Sequence, residues 1–352
     1  MDARQLKNPL PAAGPAAARA GNGAGKSADG LRPQTAEATA TRSRSADAPP
    51  RFTWSLDRSS GVGRALLAAG LRLQEAGCDT PQLDSALLMA HVLGVSKAWL
   101  YAYPGRRLTE DEITRFEALA RRRIVHEPVA YLVGYKSFYG LDITVDRRVL
   151  IPRPETELLV ERALARLKRL IGQGHAPRVA DLGTGSGAIA VALAVNAAEA
   201  IIYATDVSDD ALAVAAQNVW RYGVGEQVQL LPGSLLTPVP EPVDVIVANL
   251  PYVATAELAS LPAQVRSYEP LLALDGGPDG LGPIRSLLET LATAAGRSKL
   301  RPRCQVCLEI GAQQGEAVCA LAQTILRAAQ VELMADHAGL DRMVVVTPDV
   351  DG

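Results

Sequence analysis

The sequence predicts an α/β protein with a doubly wound, seven-stranded and mainly parallel sheet, preceded by a small helical bundle and a β-hairpin linker. Three observations lead there. After Ala176, short and nearly continuous apolar runs alternate with helical periods, the pattern of parallel strands covered on both faces. Between Gly61 and Ile124 apolar residues recur every three or four positions, the period of amphipathic helices. The first 50 residues follow neither pattern. Their 14 Ala, 6 Pro, 5 Gly and 6 Ser/Thr leave Met1, Leu6, Leu10 and Leu31 as the large apolar residues, too few to offset the entropy of ordering.

Length and composition set the frame. A chain of 352 residues exceeds the usual single domain, and four segments are expected: a disordered low-complexity extension (1–54), a helical domain (55–135), the hairpin linker (136–153) and an α/β domain (154–352). With 48 % hydrophobic and 21 % charged residues the composition is that of a soluble globular protein. The net charge of −2 supplies no basic field that would draw nucleic acid or anionic lipid. Four cysteines and the lack of a membrane-length apolar run point to a reducing, cytoplasmic setting. The 7 Lys+Arg against 4 Asp+Glu of residues 1–50 resemble a transit peptide, but Pro and Gly interrupt any sustained amphipathic helix there, which favours a plain extension.

In the bundle, Val62, Leu66, Ala69 and Leu73, then Leu83, Leu87 and Ala90, then Ile113, Phe116, Ala120 and Ile124 give three apolar stripes. Gly77, Pro81, Gly94 and Pro104-Gly105 supply the stops. Arg121, Arg122 and Arg123 read as a solvated face complementing the helix dipole. SFYGLDITVDRRVL (137–150) alternates about Gly140 and reads as the hairpin. Pro152 and Pro154 hold Arg153 extended ahead of a helix near Glu155. The strands that follow are RVADL, IIYATD, QVQLL, VDVIVA, QVCLEI, VELMA and RMVVVT, the last two without a helix between them and hence an antiparallel edge hairpin.

The first of these strands ends in Asp181-Leu182-Gly183-Thr184-Gly185-Ser186-Gly187 and runs into a helix. Glycines there allow a tight turn that brings backbone N–H groups to a ligand at a helix N-terminus. Asp206 ends the second strand, 23 residues after Gly183, where a carboxylate accepts both ribose hydroxyls of an adenosine; the competing reading is a helix cap at Ser208 or Asp209. The two features serve NAD and S-adenosylmethionine equally. Asn249-Leu250-Pro251-Tyr252, at the end of VDVIVA, separates them. Pro251 holds Leu250 extended, so the Asn249 side-chain oxygen and the Leu250 carbonyl can accept both N–H bonds of one planar NH2 group and aim its nitrogen at a methyl donor. An ordinary turn is the alternative.

A doubly wound sheet with that closing hairpin is the Rossmann-like architecture of class I S-adenosylmethionine-dependent methyltransferases. Over roughly residues 60–348 the chain resembles the PrmC/HemK family, the N5-glutamine methyltransferases of peptide chain release factors. The resemblance rests on EPVAYLVGYKSFYGLDITVDRRVLIPRPETELLVE, DLGTGSGAIAVALA, ATDVSDDAL, NLPY, YEPLLALDGGPDGL and LEIGAQQG, with Ile151 to Glu157 the most specific run. It implies an enzyme using S-adenosylmethionine on class 1 release factors, with no metal, direct nucleic-acid partner or membrane. It further implies that Asp181 and the loop Gly183, Thr184, Gly185, Ser186 and Gly187 hold the methionine end, and that Asp206 holds the ribose. Asn249 to Tyr252 would hold the glutamine, Asn249 also lying beside the donor, and the helical domain would recognise substrate.

Two positions depart from the family pattern. Leu250 stands where the family usually has proline. Ser234 stands where an acidic residue is expected, so it and Leu235 would meet the adenine as neutral groups. Ribosomal-protein glutamine, adenine N6 in nucleic acid and an NAD-dependent oxidoreduction remain the alternatives. Residues 51–352 carry 29 Lys+Arg against 34 Asp+Glu, which disfavours nucleic acid. Cys304 and Cys307 look like half a zinc site, but three residues apart on a strand they face opposite ways and read as core. Glu309 is either a supporting site residue or a strand-end cap. Asp275 to Gly280 reads first as turn chemistry, with a cleft lining as the second possibility.

Overall fold

The computed structural model describes Leu56 and residues 60–349; the expected extension, 1–54, lies outside the described residues. Helices α1 (Val62–Glu75), α2 (Pro81–Leu93), α3 (Lys97–Ala102), α4 (Glu110–Ile124) and α5 (Val129–Val133) come first. The hairpin β1 (Tyr135–Phe138) and β2 (Leu141–Thr144) follows, then a 3₁₀ turn, Pro154–Thr156, that leads into α6 (Glu157–Gly172). The sheet domain continues with β3 (Arg178–Leu182), α7 (Ala188–Asn196), β4 (Ile201–Asp206), α8 (Asp209–Arg221), β5 (Val228–Pro232) and β6 (Val243–Ala248). It ends with α9 (Ala263–Arg266), α10 (Gly282–Ala292), α11 (Ala294–Arg297), β7 (Leu300–Glu309), α12 (Gly315–Ile325), β8 (Gln330–Ala335) and β9 (Asp341–Thr347).

The seven strands lie in the order β5-β4-β3-β6-β7-β9-β8. All pairs from β5 to β7 are parallel, and β9 pairs antiparallel with both β7 and β8. The expected sheet and closing hairpin are therefore present. Side chains alternate between two cores: Val179, Val245, Cys307 and Val345 pack under α6 to α8, whereas Ala180, Ile246, Val306 and Val344 pack under α10 and α12. Cys304 joins the second core and Cys307 the first, as expected from their spacing. Both are buried, and burial pushes their thiols up, Cys307 to about 12. β7 begins five residues ahead of the apolar run, across an irregularity in its pairing with Val243 and Val245.

The bundle has its own apolar core of Val62, Ala65, Leu88, Met89, Phe116 and neighbours. On α4 the expected stripe of Ile113, Phe116, Ala120 and Ile124 is buried throughout. α2 differs. Leu83 is 44 % exposed, and the buried face carries Asp84, Ser85, Leu88, Met89 and Val92. The reason is a charge pair: Arg123, expected on a solvated face, is 3 % exposed and donates Nε to Asp84 Oδ2 at 2.7 Å and Nη1 to the Glu127 carbonyl at 3.2 Å. Burying a guanidinium demands a carboxylate partner, which rotates α2 away from its apolar stripe. Arg121 and Arg122 pair with Glu117 and Glu127.

Three contacts link the helices, the linker segment and the sheet region to one another. Glu127 accepts from both Arg122 and Arg147 at 2.8 Å. Glu269 accepts from the Ile151 N–H at 3.1 Å and from Arg153 at 2.6 Å. The Tyr268 hydroxyl donates to the Val125 carbonyl at 2.8 Å.

Asp84→Ala leaves the buried Arg123 charge uncompensated and should lower unfolding stability by roughly 3–5 kcal/mol, read as a reduced urea midpoint. Replacing both partners by leucine and methionine should recover most of that loss.

Candidate active site

The strand order places the site. Chain progression runs from β3 outward through β4 and β5, then returns across β3 to β6. A crevice opens at the carboxyl ends of strands where the order reverses in this way. β3 and β6 pair in register, Leu182 opposite Ala248, so the glycine loop and Asn249 emerge side by side. A cavity of about 500 Å³ lies above them.

The glycine loop is held from beneath. Gly183 and Thr184 each donate their N–H to the Thr205 carbonyl at 2.9 Å. Asp181 is fully buried; its Oδ2 accepts from the Thr184 hydroxyl at 2.7 Å and from the Ala190 N–H at 3.1 Å, while Oδ1 has no partner. Burial raises this carboxyl to about 7. Gly187 takes φ +76° at the start of α7, and a side chain there would press on Ala215 at 3.1 Å, so only glycine closes this turn without strain. The Ser186 carbonyl accepts from Asn218 at 2.8 Å.

Asp206 half-faces the cavity. Its Oδ2 accepts from the Gly185 N–H at 2.8 Å and its Oδ1 from the Ser208 N–H at 3.0 Å. The N-cap of α8 is Ser208, whose hydroxyl accepts from the Ala211 N–H at 3.2 Å. Asp206 thus braces the loop and the strand end rather than the helix, and each oxygen keeps a lone pair for a further donor. Beyond β5, Leu235 adopts φ +48°; its carbonyl accepts from the Thr205 hydroxyl at 3.0 Å, which keeps this uncommon backbone conformation in place.

Asn249 is half-buried. Its Nδ2 donates to the Thr156 hydroxyl at 3.1 Å. Glu309, at the end of β7, is buried with its Oε2 unpartnered, and burial raises its carboxyl to about 7. Leu250 is buried over Gly183, and the Tyr252 phenol is pushed up to about 12 by burial. The Tyr252 carbonyl accepts from Gln314 Nε2 at 2.9 Å, and Gly280 packs so close that a Cβ there would collide with that oxygen. Val253 pairs with the 274–276 segment through two backbone hydrogen bonds of 2.8 and 3.0 Å.

Of the residues expected at the site, Gly183, Gly185, Asp206, Ser234, Leu235, Asn249, Leu250 and Pro251 line the cavity. Asp181, Thr184, Ser186 and Gly187 lie outside that lining and form the loop's support, and Tyr252, half-buried, also lies outside it. Asp275, Gly276 and Gly277 also line the cavity, so the glycine-rich run is cleft as well as turn. Arg148, Val149 and Leu150 line it too and were not anticipated, although they immediately precede the specific Ile151 to Glu157 run. Thr156 lies within that run, yet nothing in its spacing announces a partner 93 residues away.

Residues 64–134 match the PrmC N-terminal domain, and residues 160–267 match the ribosomal protein L11 methyltransferase model. The chain is 42 % identical to the release factor glutamine methyltransferase of Moorella thermoacetica, over 79 % of this chain and 95 % of the relative. It is 37 % identical to that of Agrobacterium fabrum, over 80 % and 96 %. A solved release factor-specific protein-(glutamine-N5) methyltransferase from Alicyclobacillus acidocaldarius is 30 % identical over 56 % of this chain and 94 % of that one, with a TM-score of 0.35. Sequence identity sustained over nearly the whole length of such relatives means that the chain is an enzyme belonging to the release factor glutamine methyltransferase family.

Proposed function

We propose that this enzyme transfers a methyl group from S-adenosylmethionine to N5 of the glutamine in the Gly-Gly-Gln motif of class 1 peptide chain release factors. The observation that carries the reading is the Asn249 amide, set beside the glycine loop with its nitrogen already committed to Thr156 and its oxygen left for the crevice.

The residues present fit the donor. The cavity is of the size that encloses small ligands, about 300–1,000 Å³, and it brings together the glycine loop and the Asp206 carboxylate. Bound there, S-adenosylmethionine supplies a methyl group on a cationic sulfur. Gly183 to Gly187 would hold its methionine end, Asp206 its ribose hydroxyls, and Ser234 with Leu235 its adenine. An amide nitrogen is a poor nucleophile because its lone pair is delocalised. Asn249 Oδ1 and the Leu250 carbonyl accept its two N–H bonds, which fixes its plane and raises its electron density. Leu250 and Pro251, which line the cavity, would wall the glutamine's methylenes, with Tyr252 behind them. The proton released after transfer passes to water, since an N-methylated amide cation is a strong acid.

In this reading residues 55–135 recognise the release factor, 136–153 are the linker and 154–352 carry the chemistry in the cytoplasm. Among the described residues no helix is long and apolar enough to cross a membrane. The test of the reading is the mass of a purified release factor after incubation with S-adenosylmethionine, which should rise by one methyl group mapped to that glutamine.

Two substitutions check the assigned roles. Asp206→Ala should weaken S-adenosylmethionine binding by about 1.5–3 kcal/mol in calorimetry, the worth of hydrogen bonds to a charged group; parental affinity would show that Asp206 serves the fold alone. Asn249→Ala should lower kcat by roughly two to three orders of magnitude, as loss of a positioned polar contact does, with the melting temperature near the parent's. Parental turnover would mean that the tetrapeptide is only a turn.

A further inference from the structure

One charge in the cavity wall has no part in the methyl transfer. Among the described residues that line the cavity, Asp206 and Asp275 are acidic and Arg148 is the one cation. Both carboxylates are already engaged. Asp206 accepts from the Gly185 and Ser208 N–H groups, and Asp275 Oδ1 accepts from the Thr255 hydroxyl at 2.7 Å and the Gly277 N–H at 2.9 Å. Neither is paired with Arg148, which is free to meet an anion from the cavity.

Arg148 is held from one side. Its Nε donates to Asp146 Oδ1 at 2.9 Å and its Nη2 to Asp146 Oδ2 at 2.6 Å, while Asp146 Oδ1 also accepts the Arg148 backbone N–H at 3.0 Å. A guanidinium has two edges that match a carboxylate, Nε with Nη2 and Nη1 with Nη2. Asp146 takes the first, and Nη1 makes no hydrogen bond among the described residues. The backbone around Arg148 is fixed at both ends. Thr144 donates its N–H to Asn218 Oδ1 at 2.8 Å and accepts from Asn218 Nδ2 at 3.0 Å, and the same Nδ2 donates to the Ser186 carbonyl. Ile151 is tied to Glu269. The segment that carries Arg148 is thus anchored, through Asn218, to the glycine loop, where the methionine end of the donor would lie.

Charge decides what the free edge can take. S-adenosylmethionine is positive at its sulfonium and ammonium groups, neutral at its adenine and ribose, and negative at its carboxylate alone. A fixed guanidinium in the wall opposes such a ligand unless it meets that carboxylate, which the arginine fork fits with two parallel N–H bonds. We propose that Arg148 binds the methionine carboxylate of S-adenosylmethionine through its Nη1 edge and so fixes the amino-acid end of the donor. The inference rests on the reading of the cavity as the S-adenosylmethionine site.

The test is calorimetry on the full chain with two ligands, S-adenosylhomocysteine and its decarboxylated analogue, which lacks that carboxylate alone. The quantity read is the ratio of the two affinities, which any unfolded fraction of a variant leaves unchanged. Arg148→Met should lower the preference for the carboxylated ligand about fivefold to twentyfold, the worth of a charge-assisted pair reduced by solvent at a side chain that is 36 % exposed. The analogue should bind parent and variant within about twofold of each other, since it has no group for Arg148 to hold. A ratio in Arg148→Met equal to the parent's overturns the inference. If both affinities hold, Arg148 touches neither ligand; if both fall together, it serves the adenosine or the shape of the cavity. Binding of the parent separates the two levels. If the parent binds S-adenosylhomocysteine and the ratio does not move, only the role of Arg148 fails. If the parent binds neither ligand, the donor site and the carboxylate contact fall together.

Discussion

The site depends on one pairing in the middle of the sheet. β3 and β6 run parallel and in register from Val179 opposite Val245 to Leu182 opposite Ala248, and every residue of β6 is buried. A strand buried on both faces tolerates no one-residue slip, since a slip would exchange the residues of the two cores. The ends of β3 and β6 are fixed with the same precision as the core itself. The glycine loop and Asn249 inherit that precision, and neither has to find the other.

Around this pairing the polar groups are engaged before any ligand arrives. Asp181 holds Thr184 and the first turn of α7, Thr205 holds the loop backbone and Leu235, and Asp206 holds Gly185. Binding then orders little of the protein, and more of the contact energy remains for orientation. The 275–277 segment and Gln314 do the same for the tetrapeptide from its far side. The tetrapeptide is therefore braced from strand, loop and helix positions far apart in sequence, Gln314 lying 62 residues beyond Tyr252.

Much of this was readable in the chain because it is local. The glycine loop, Asp206 and the tetrapeptide each sit within a strand-to-loop step, and apolar periodicity places those steps at the same edge of the sheet. What periodicity cannot show is the pairing of polar groups across long separations. The buried face of α2 departs from its leucine stripe because it includes Asp84, whose partner Arg123 lies on α4, 39 residues on; the stripe is the stronger local signal and the weaker global one. Thr156 escapes periodicity for the same reason, its partner Asn249 lying 93 positions away. Arg148 to Leu150 reached the cavity because the linker is pulled in by Glu269, which binds the Ile151 N–H and Arg153 at once.

The two cysteines of β7 give the sheet a chemical reporter. Cys304 and Cys307 lie in opposite cores and burial holds both thiols in the protonated form. Alkylating reagents attack the thiolate, so neither sulfur reacts until the layer covering it lifts. Reaction at Cys304 records departure of the α10 and α12 side, and reaction at Cys307 records departure of the α6 to α8 side. One strand therefore carries separate clocks for the breathing of its two faces, without any label being introduced into the chain.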